Sequence, residues 1–192
     1  GVALVTALGE GPVHLLGGSL GGRVAMVVAG QHPDLVRRLV IEDVGPERPP
    51  EVSERMQRRT REGPASFATL DEVVQDLRPR YPLCPDDLLR HVAAHMVRPG
   101  TDGRLVWKRD PAIARDFVPV DLWRYVERIR APTLIVLGAQ STIVTPEAAR
   151  RMLDTIPRSR LVTIQAAGHN VFLDQPQEFL AHVLPFLEAT GT

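Results

Sequence analysis

Short apolar runs between turn residues set the rhythm of the first 45 positions. Val2-Ala3-Leu4-Val5-Thr6-Ala7-Leu8 reads as a helix, stopped by Gly9 with Pro12 just beyond. Val13-His14-Leu15-Leu16 is a short apolar run of the kind a buried strand makes, and Gly17–Gly22 a tight turn. Arg23–Gln31 carries small and branched apolar residues at helical spacing and ends before His32-Pro33-Asp34. Val36–Val44 is a second strand centred on Leu39-Val40-Ile41. Strands alternating with helices predict a mostly parallel sheet, and hence an α/β fold.

The texture changes at Gly45, where Pro46, Pro49 and Pro50 interrupt the pattern. Glu51–Arg61, Ser66–Leu77 and Asp86–Val97 are amphipathic and predict helices, with Asp71, Asp86 and Asp87 as N-terminal helix residues. Leu105-Val106-Trp107 predicts a short extended piece. Residues 46–118 therefore read as a helical insertion between two parts of a core, 1–45 and 119–192. After Ala131-Pro132 the strand–helix rhythm returns: strand Thr133–Leu137, helix Pro146–Thr155 with proline in its first turn, strand Arg160–Gln165, helix Pro176–Leu187. No internal repeat or low-complexity segment is present.

Composition narrows the classes. Of 192 residues, 44% are hydrophobic and 24% charged, the balance of a globular domain. Lys+Arg and Asp+Glu are both 23, so no global field draws the chain to nucleic acid or an anionic membrane, and neither is expected as a partner. Lys108 is the only lysine, an arginine bias associated with GC-rich bacterial genomes. Cys84 is the only cysteine, which permits no internal disulfide and fits a reducing, cytoplasmic setting. No apolar stretch is long enough to span a bilayer.

The strongest chemical signal is Gly17-Gly18-Ser19-Leu20-Gly21-Gly22, which contains G-x-S-x-G between an apolar strand and a helix. A nucleophilic serine needs a strained turn that lifts its Oγ above the sheet, with no bulk at its flanks. The helix that follows aims its N-terminal N–H groups and dipole at the site, which favours an anionic intermediate; the Leu20 N–H is the expected oxyanion donor. A phosphate loop is excluded, because Arg23-Val24 stands where lysine and a metal-binding hydroxyl are required. The serine needs a base. Of six histidines, His169 lies in the small-residue loop Ala166-Ala167-Gly168-His169-Asn170, at the C-terminal end of the last strand, where open α/β sheets gather ligands. His91 and His95, spaced i, i+4, lack the glutamate of a zinc-protease motif, since Val92 follows His91. No metal or organic cofactor is expected.

These loops, together with Pro132-Thr133-Leu134-Ile135-Val136-Leu137-Gly138, make the chain resemble the α/β-hydrolase superfamily over nearly its whole length, with serine before histidine as in that family. The resemblance implies an α/β-hydrolase fold and a helical cap over 46–118 that shapes the substrate site. The family's usual acid follows the strand that is here Thr133–Leu137, but Gly138-Ala139-Gln140-Ser141-Thr142-Ile143-Val144 contains no carboxylate. A branch of small esterases, of the YbfF and abhydrolase-domain-containing-protein-11 type, has a Gly-x-x-Ser stretch there and its acid after the strand following the nucleophile helix. By that resemblance Asp43 is the acid, with Glu42 the lesser candidate, and Ser141 is expected to matter little.

The implied reaction is hydrolysis of a small carboxylic ester through an acyl-enzyme. C–C bond or lactone hydrolysis shares the same residues, and a non-catalytic binding or scaffold protein is the rival that a missing acid would favour. Trp107, Phe117 and Trp123 are candidate substrate-binding side chains. The chain opens inside a helix without an initiator methionine and reads as the remainder of a longer protein. Val13–Leu16 would then be an uncovered strand, completed by an N-terminal segment or by a homo-oligomer.

Overall fold

A computed structural model describes residues 1–189 other than 10, 111, 117 and 119. The chain forms two compact units, Gly1–Arg48 with Val120–Thr192, and Pro49–Pro119.

In the first unit α1 (Val2–Leu8) ends on Gly9 in the left-handed conformation, and β1 (Val13–Gly18), α2 (Leu20–Gln31) and β2 (Val36–Glu42) follow. The second unit contains α3 (Pro50–Glu62), β3 (Ser66–Phe67), α4 (Leu70–Leu77), α5 (Asp86–Met96), β4 (Val97–Pro99), β5 (Leu105–Trp107) and α6 (Ala112–Arg115). The chain returns to the first unit through α7 (Trp123–Val126), β6 (Thr133–Gly138), α8 (Pro146–Thr155), β7 (Ser159–Ile164), α9 (Val171–Asp174) and α10 (Pro176–Glu188).

The four strands of the first unit pair in parallel in the order β1-β2-β6-β7. Both faces of this sheet are covered, which is why its central strands read as unbroken apolar runs. Alternate residues go to opposite faces. Leu39, Ile41 and Ile135 pack with Met26 and Ala29 of α2 and Met152 of α8. Val40, Leu134 and Val136 pack with Phe179, Val183 and Phe186 of α10. Each such burial contributes about 1.5–3 kcal/mol relative to an exposed side chain. Thr145 caps α8 by accepting from the Ala148 N–H at 3.1 Å, ahead of Pro146 in the first turn. β1 lies at one margin of the sheet, with Leu16 of β1 and Leu20 at the start of α2 exposed beside it.

The second unit is not purely helical. β3, β5 and β4 form a three-stranded antiparallel sheet in that order. The helix predicted over Ser66–Leu77 begins only at Leu70, because Thr69 accepts from the Glu72 N–H while the Glu72 carboxylate accepts from Ala68 N–H, and this pairing fixes the helix start. The helix predicted to reach Val97 stops at Met96, where the backbone turns extended and enters β4. Likewise the strand predicted over Val36–Val44 ends at Glu42, because Asp43 takes a positive φ of 43°. The short helices α7 and α9 have too few residues for a periodic signal. Among the described residues no helix is long and apolar enough to cross a membrane.

Candidate active site

Parallel strands bring their C-terminal ends to one edge, and the candidate residues collect there. β1 ends at Gly18 and α2 begins at Leu20, so Ser19 alone makes the turn, at φ 50° and ψ −121°. The space comes from Gly17 and Gly22. A Cβ on Gly17 would stand 2.5 Å from the Gly21 carbonyl carbon and oxygen, and one on Gly22 would stand 2.8 Å from the Gly17 oxygen. A Cβ on Gly21 would meet nothing within 4 Å, so the steric demand falls on Gly17 and Gly22 rather than on the last glycine of the motif. The Leu20 N–H opens α2 and is one of those for which a helix supplies no internal acceptor. Arg23, one turn further, donates to the carbonyls of Gly45, Pro46 and Val120, and so ties the start of α2 to the chain on either side of the second unit in sequence.

Gly18 pairs with Glu42, so the next residues, Ser19 and Asp43, stand at the ends of neighbouring strands about 5 Å apart. Asp43 is wholly buried. Its Oδ2 accepts from His169 Nδ1 at 2.8 Å and from Ser141 Oγ at 2.5 Å, and its Oδ1 accepts from the Gly138 N–H at 3.2 Å. A carboxylate can only accept, so the His169 proton lies on Nδ1 and Nε2 is left as the free basic nitrogen. Ser141 in turn accepts from the Ile143 N–H at 3.2 Å, which orients its hydroxyl toward Asp43. The Gly-x-x-Ser stretch at 138–141 therefore supplies two donors to Asp43 at the place where the family's usual acid is absent. Gly138 must be glycine for a steric reason: a Cβ there would stand 2.1 Å from the Gly168 carbonyl oxygen. Three non-glycine residues described here have positive φ, namely Ser19, Asp43 and Ala166, and each lies just beyond the end of a sheet strand. Strain concentrated in this way is characteristic of functional sites.

Glu42, the lesser candidate for the acid, points elsewhere. Its Oε1 accepts from the Val171 N–H at 2.8 Å, two residues past His169. On the other side of the loop Asp174 Oδ2 accepts from the Gly168 N–H at 2.8 Å. Two buried carboxylates thus hold the backbone on either side of His169, and the sequence alone assigns Asp174 no role. Burial pushes the Glu42 carboxyl up to about 7, against the opposing pull of the Val171 N–H and His169. Burial also raises Asp174, against the Gly168 N–H and His169.

The Glu42 shift makes stability depend on pH. The folded chain keeps a proton on Glu42 up to about pH 7, whereas an unfolded glutamate releases it near 4.5, so the native state binds more protons between those values. This contribution is complete below about pH 4.5 and is lost as pH rises through about 7, a change on the order of 3 kcal/mol. Glu42→Gln is expected to flatten that part of the profile, as read by urea denaturation at pH 5, 6, 7 and 8. An unaltered slope in the variant would assign the proton to another group.

Of the aromatic candidates, Trp123 is a core side chain rather than an open binding surface. It is 4% exposed, packs within the core shared with α2, donates from Nε1 to Glu47 at 3.0 Å and is covered by the Arg151 guanidinium 3.7 Å from its ring centroid. Trp107 is half-buried in the second unit, edge-on to Phe67 at 5.1 Å. Phe117 lies outside the described residues. His95 Nδ1 is occupied by the His91 carbonyl at 2.8 Å, and among the described residues no three His, Cys, Asp or Glu side chains are placed to share a metal ion.

A parallel sheet covered on both faces, a strained serine between β1 and α2, and a histidine carried by the loop after β7 define an α/β hydrolase architecture. The chain belongs to that family: its profile, described as alpha/beta hydrolase fold, matches residues 2–176. The chain is 28% identical to the sn-1-specific diacylglycerol lipase ABHD11 of Mus musculus over 96% of its own length and 62% of that protein's. It is 31% identical to the 3-hydroxybutyrate-oligomer hydrolase of Cupriavidus necator, over 94% of this chain and 67% of that one. Its structure matches that of E-2-(acetamidomethylene)succinate hydrolase with a TM-score of 0.87 and 28% identity, covering 98% of this chain and 71% of the other.

Proposed function

We propose that this chain carries the catalytic residues of a serine hydrolase acting on a small carboxylic ester. The observation that supports the reading most is the His169–Asp43 hydrogen bond of 2.8 Å, held one strand away from Ser19 at the same sheet edge. Ser19 Oγ attacks the acyl carbon and its proton passes to His169 Nε2. Asp43 keeps His169 in the Nδ1-protonated form and stabilises the imidazolium. The Leu20 N–H donates to the oxyanion of the tetrahedral intermediate. That intermediate expels the alcohol, which takes the proton back from Nε2. Water then repeats the sequence on the acyl-enzyme and releases the carboxylic acid. The names of the mouse and Cupriavidus relatives, a diacylglycerol lipase and an oligomer hydrolase of a hydroxy acid, agree with ester cleavage. The scaffold alternative rests on a missing acid, and Asp43 supplies one that already bonds His169.

An acyl-enzyme has a kinetic signature. With p-nitrophenyl butyrate, rapid mixing is expected to give a burst of p-nitrophenol close to one equivalent per protein, followed by a slower steady rate. A linear release with no protein-dependent rate above background would reject ester hydrolysis by this chain.

A further inference from the structure

The second unit gathers more positive charge than its own residues neutralise. β5 ends at Trp107, and the guanidinium groups of Arg80 and Arg109 stand 5.3 Å and 5.6 Å from the centroid of that one ring. Arg59, in the last turn of α3, is close enough to both to feel their charge. Asp76 pairs with Arg80. Among the described residues neither Arg59 nor Arg109 has an ion pair or hydrogen bond. Three guanidinium groups thus share one carboxylate, a local excess of two positive charges in a chain whose total is zero. The Arg80 Nε is buried and has no hydrogen-bond partner, although the other end of the same guanidinium is engaged by Asp76.

A buried donor without a partner costs about 1–3 kcal/mol, and like charges on one aromatic ring oppose each other. Partial desolvation and the neighbouring Arg80 pull the guanidinium equilibria of Arg59 and Arg109 downward, yet arginine stays charged in proteins. An oxyanion resolves both costs at once. Guanidinium groups bind carboxylate and phosphate through paired N–H donors, and the Trp107 ring limits their freedom to turn away. A buried Nε calls for an acceptor of small size, a single oxyanion rather than a folded acidic surface.

We infer that Arg80 and Arg109, which flank the Trp107 ring, form with the neighbouring Arg59 a binding site for one small carboxylate or phosphate group. The site stands on these residues alone and does not depend on the hydrolase reading; only the assignment of its anion to the ester substrate does.

Calorimetric titration of the whole chain with sodium phosphate and with sodium succinate, at constant ionic strength, tests it. The wild type is expected to bind at least one of the two saturably with a single site. Arg109→Gln and Arg80→Gln are expected to weaken that binding at least tenfold, while Arg104→Gln, an exposed arginine bonded to Ser66 in the same unit, leaves it unchanged. Arg109 is exposed and unpaired among the described residues, so its variant is expected to keep the wild-type circular dichroism even if the Arg80 variant does not fold. No saturable binding of either anion, or equal affinity in Arg109→Gln, would overturn the site. Hydrolysis of monomethyl succinate against dimethyl succinate separates the sources of the anion. A KM raised tenfold in Arg109→Gln for the acid ester alone makes the anion part of the substrate. Unchanged KM values with phosphate binding lost make it a separate ligand.

Discussion

Asp43→Asn is expected to lower kcat by about 10⁴, the cost of losing the acid that orients a catalytic histidine. The variant keeps nearly the same volume; with its amide oxygen in the place of Oδ1 it can still accept from the Gly138 N–H, while its NH₂ takes the place of Oδ2, beside Ser141 Oγ and His169 Nδ1. Its amide NH₂, however, favours the His169 tautomer with an unprotonated Nδ1, which removes the basic lone pair from Nε2. Ser141→Ala is expected to cost about tenfold, the worth of one hydrogen bond to a charged group. The resemblance alone predicts little effect at Ser141. The 2.5 Å contact with Asp43 Oδ2 changes that expectation, because removing it leaves a wholly buried carboxylate with one donor fewer. Steady-state kinetics on one activated ester, with circular dichroism to establish folding, separates the two variants. Asp43→Asn within tenfold of the wild type would move the acid to another residue.

Replacing Ser19 has two expected effects that part company. Ser19→Ala and Ser19→Gly should both reduce turnover by on the order of 10⁵ or more, since the remaining residues of a triad act only through the nucleophile. Their stabilities should differ. Ser19 holds φ 50° and ψ −121°, a conformation that disfavours any side chain and that glycine adopts freely. Ser19→Gly is therefore expected to be more stable than Ser19→Ala by about 1 kcal/mol, as strain at this turn is relieved. Urea denaturation of the two variants measures the difference. Equal stabilities would mean that the turn relaxes around alanine and stores no strain.

The sheet and the two ends of the site were legible in the sequence for identifiable reasons. Both faces of β2 are buried, so Leu39-Val40-Ile41 appears as an unbroken apolar run. The turn around Ser19 needs glycine at fixed offsets, and the close approach of Gly17 to Gly21 and Gly22 left that requirement in plain view. What stayed hidden depends on contacts across long stretches of chain. Asp174 and Glu42 hold the His169 loop through backbone N–H groups, and a backbone donor leaves no mark on residue identity. Ser141 reaches Asp43 across 98 positions, and only the resemblance drew notice to it. Trp123 stands beside the insertion in sequence, which suggests a binding role, but its ring is enclosed by the core and by Arg151. The antiparallel sheet of the second unit escaped because β3, β4 and β5 are two or three residues long, too short for alternation to register.

The account turns on whether the hydroxyl of Ser19 is activated by the imidazole that Asp43 holds. Incubation of the folded chain with a fluorophosphonate, followed by intact-mass and peptide mass spectrometry, reads this without any knowledge of the natural substrate. The expected result is one covalent adduct per chain, on Ser19, whose rate of formation falls by orders of magnitude in His169→Ala. A folded chain that takes up no label, or one labelled equally fast without His169, would contradict it.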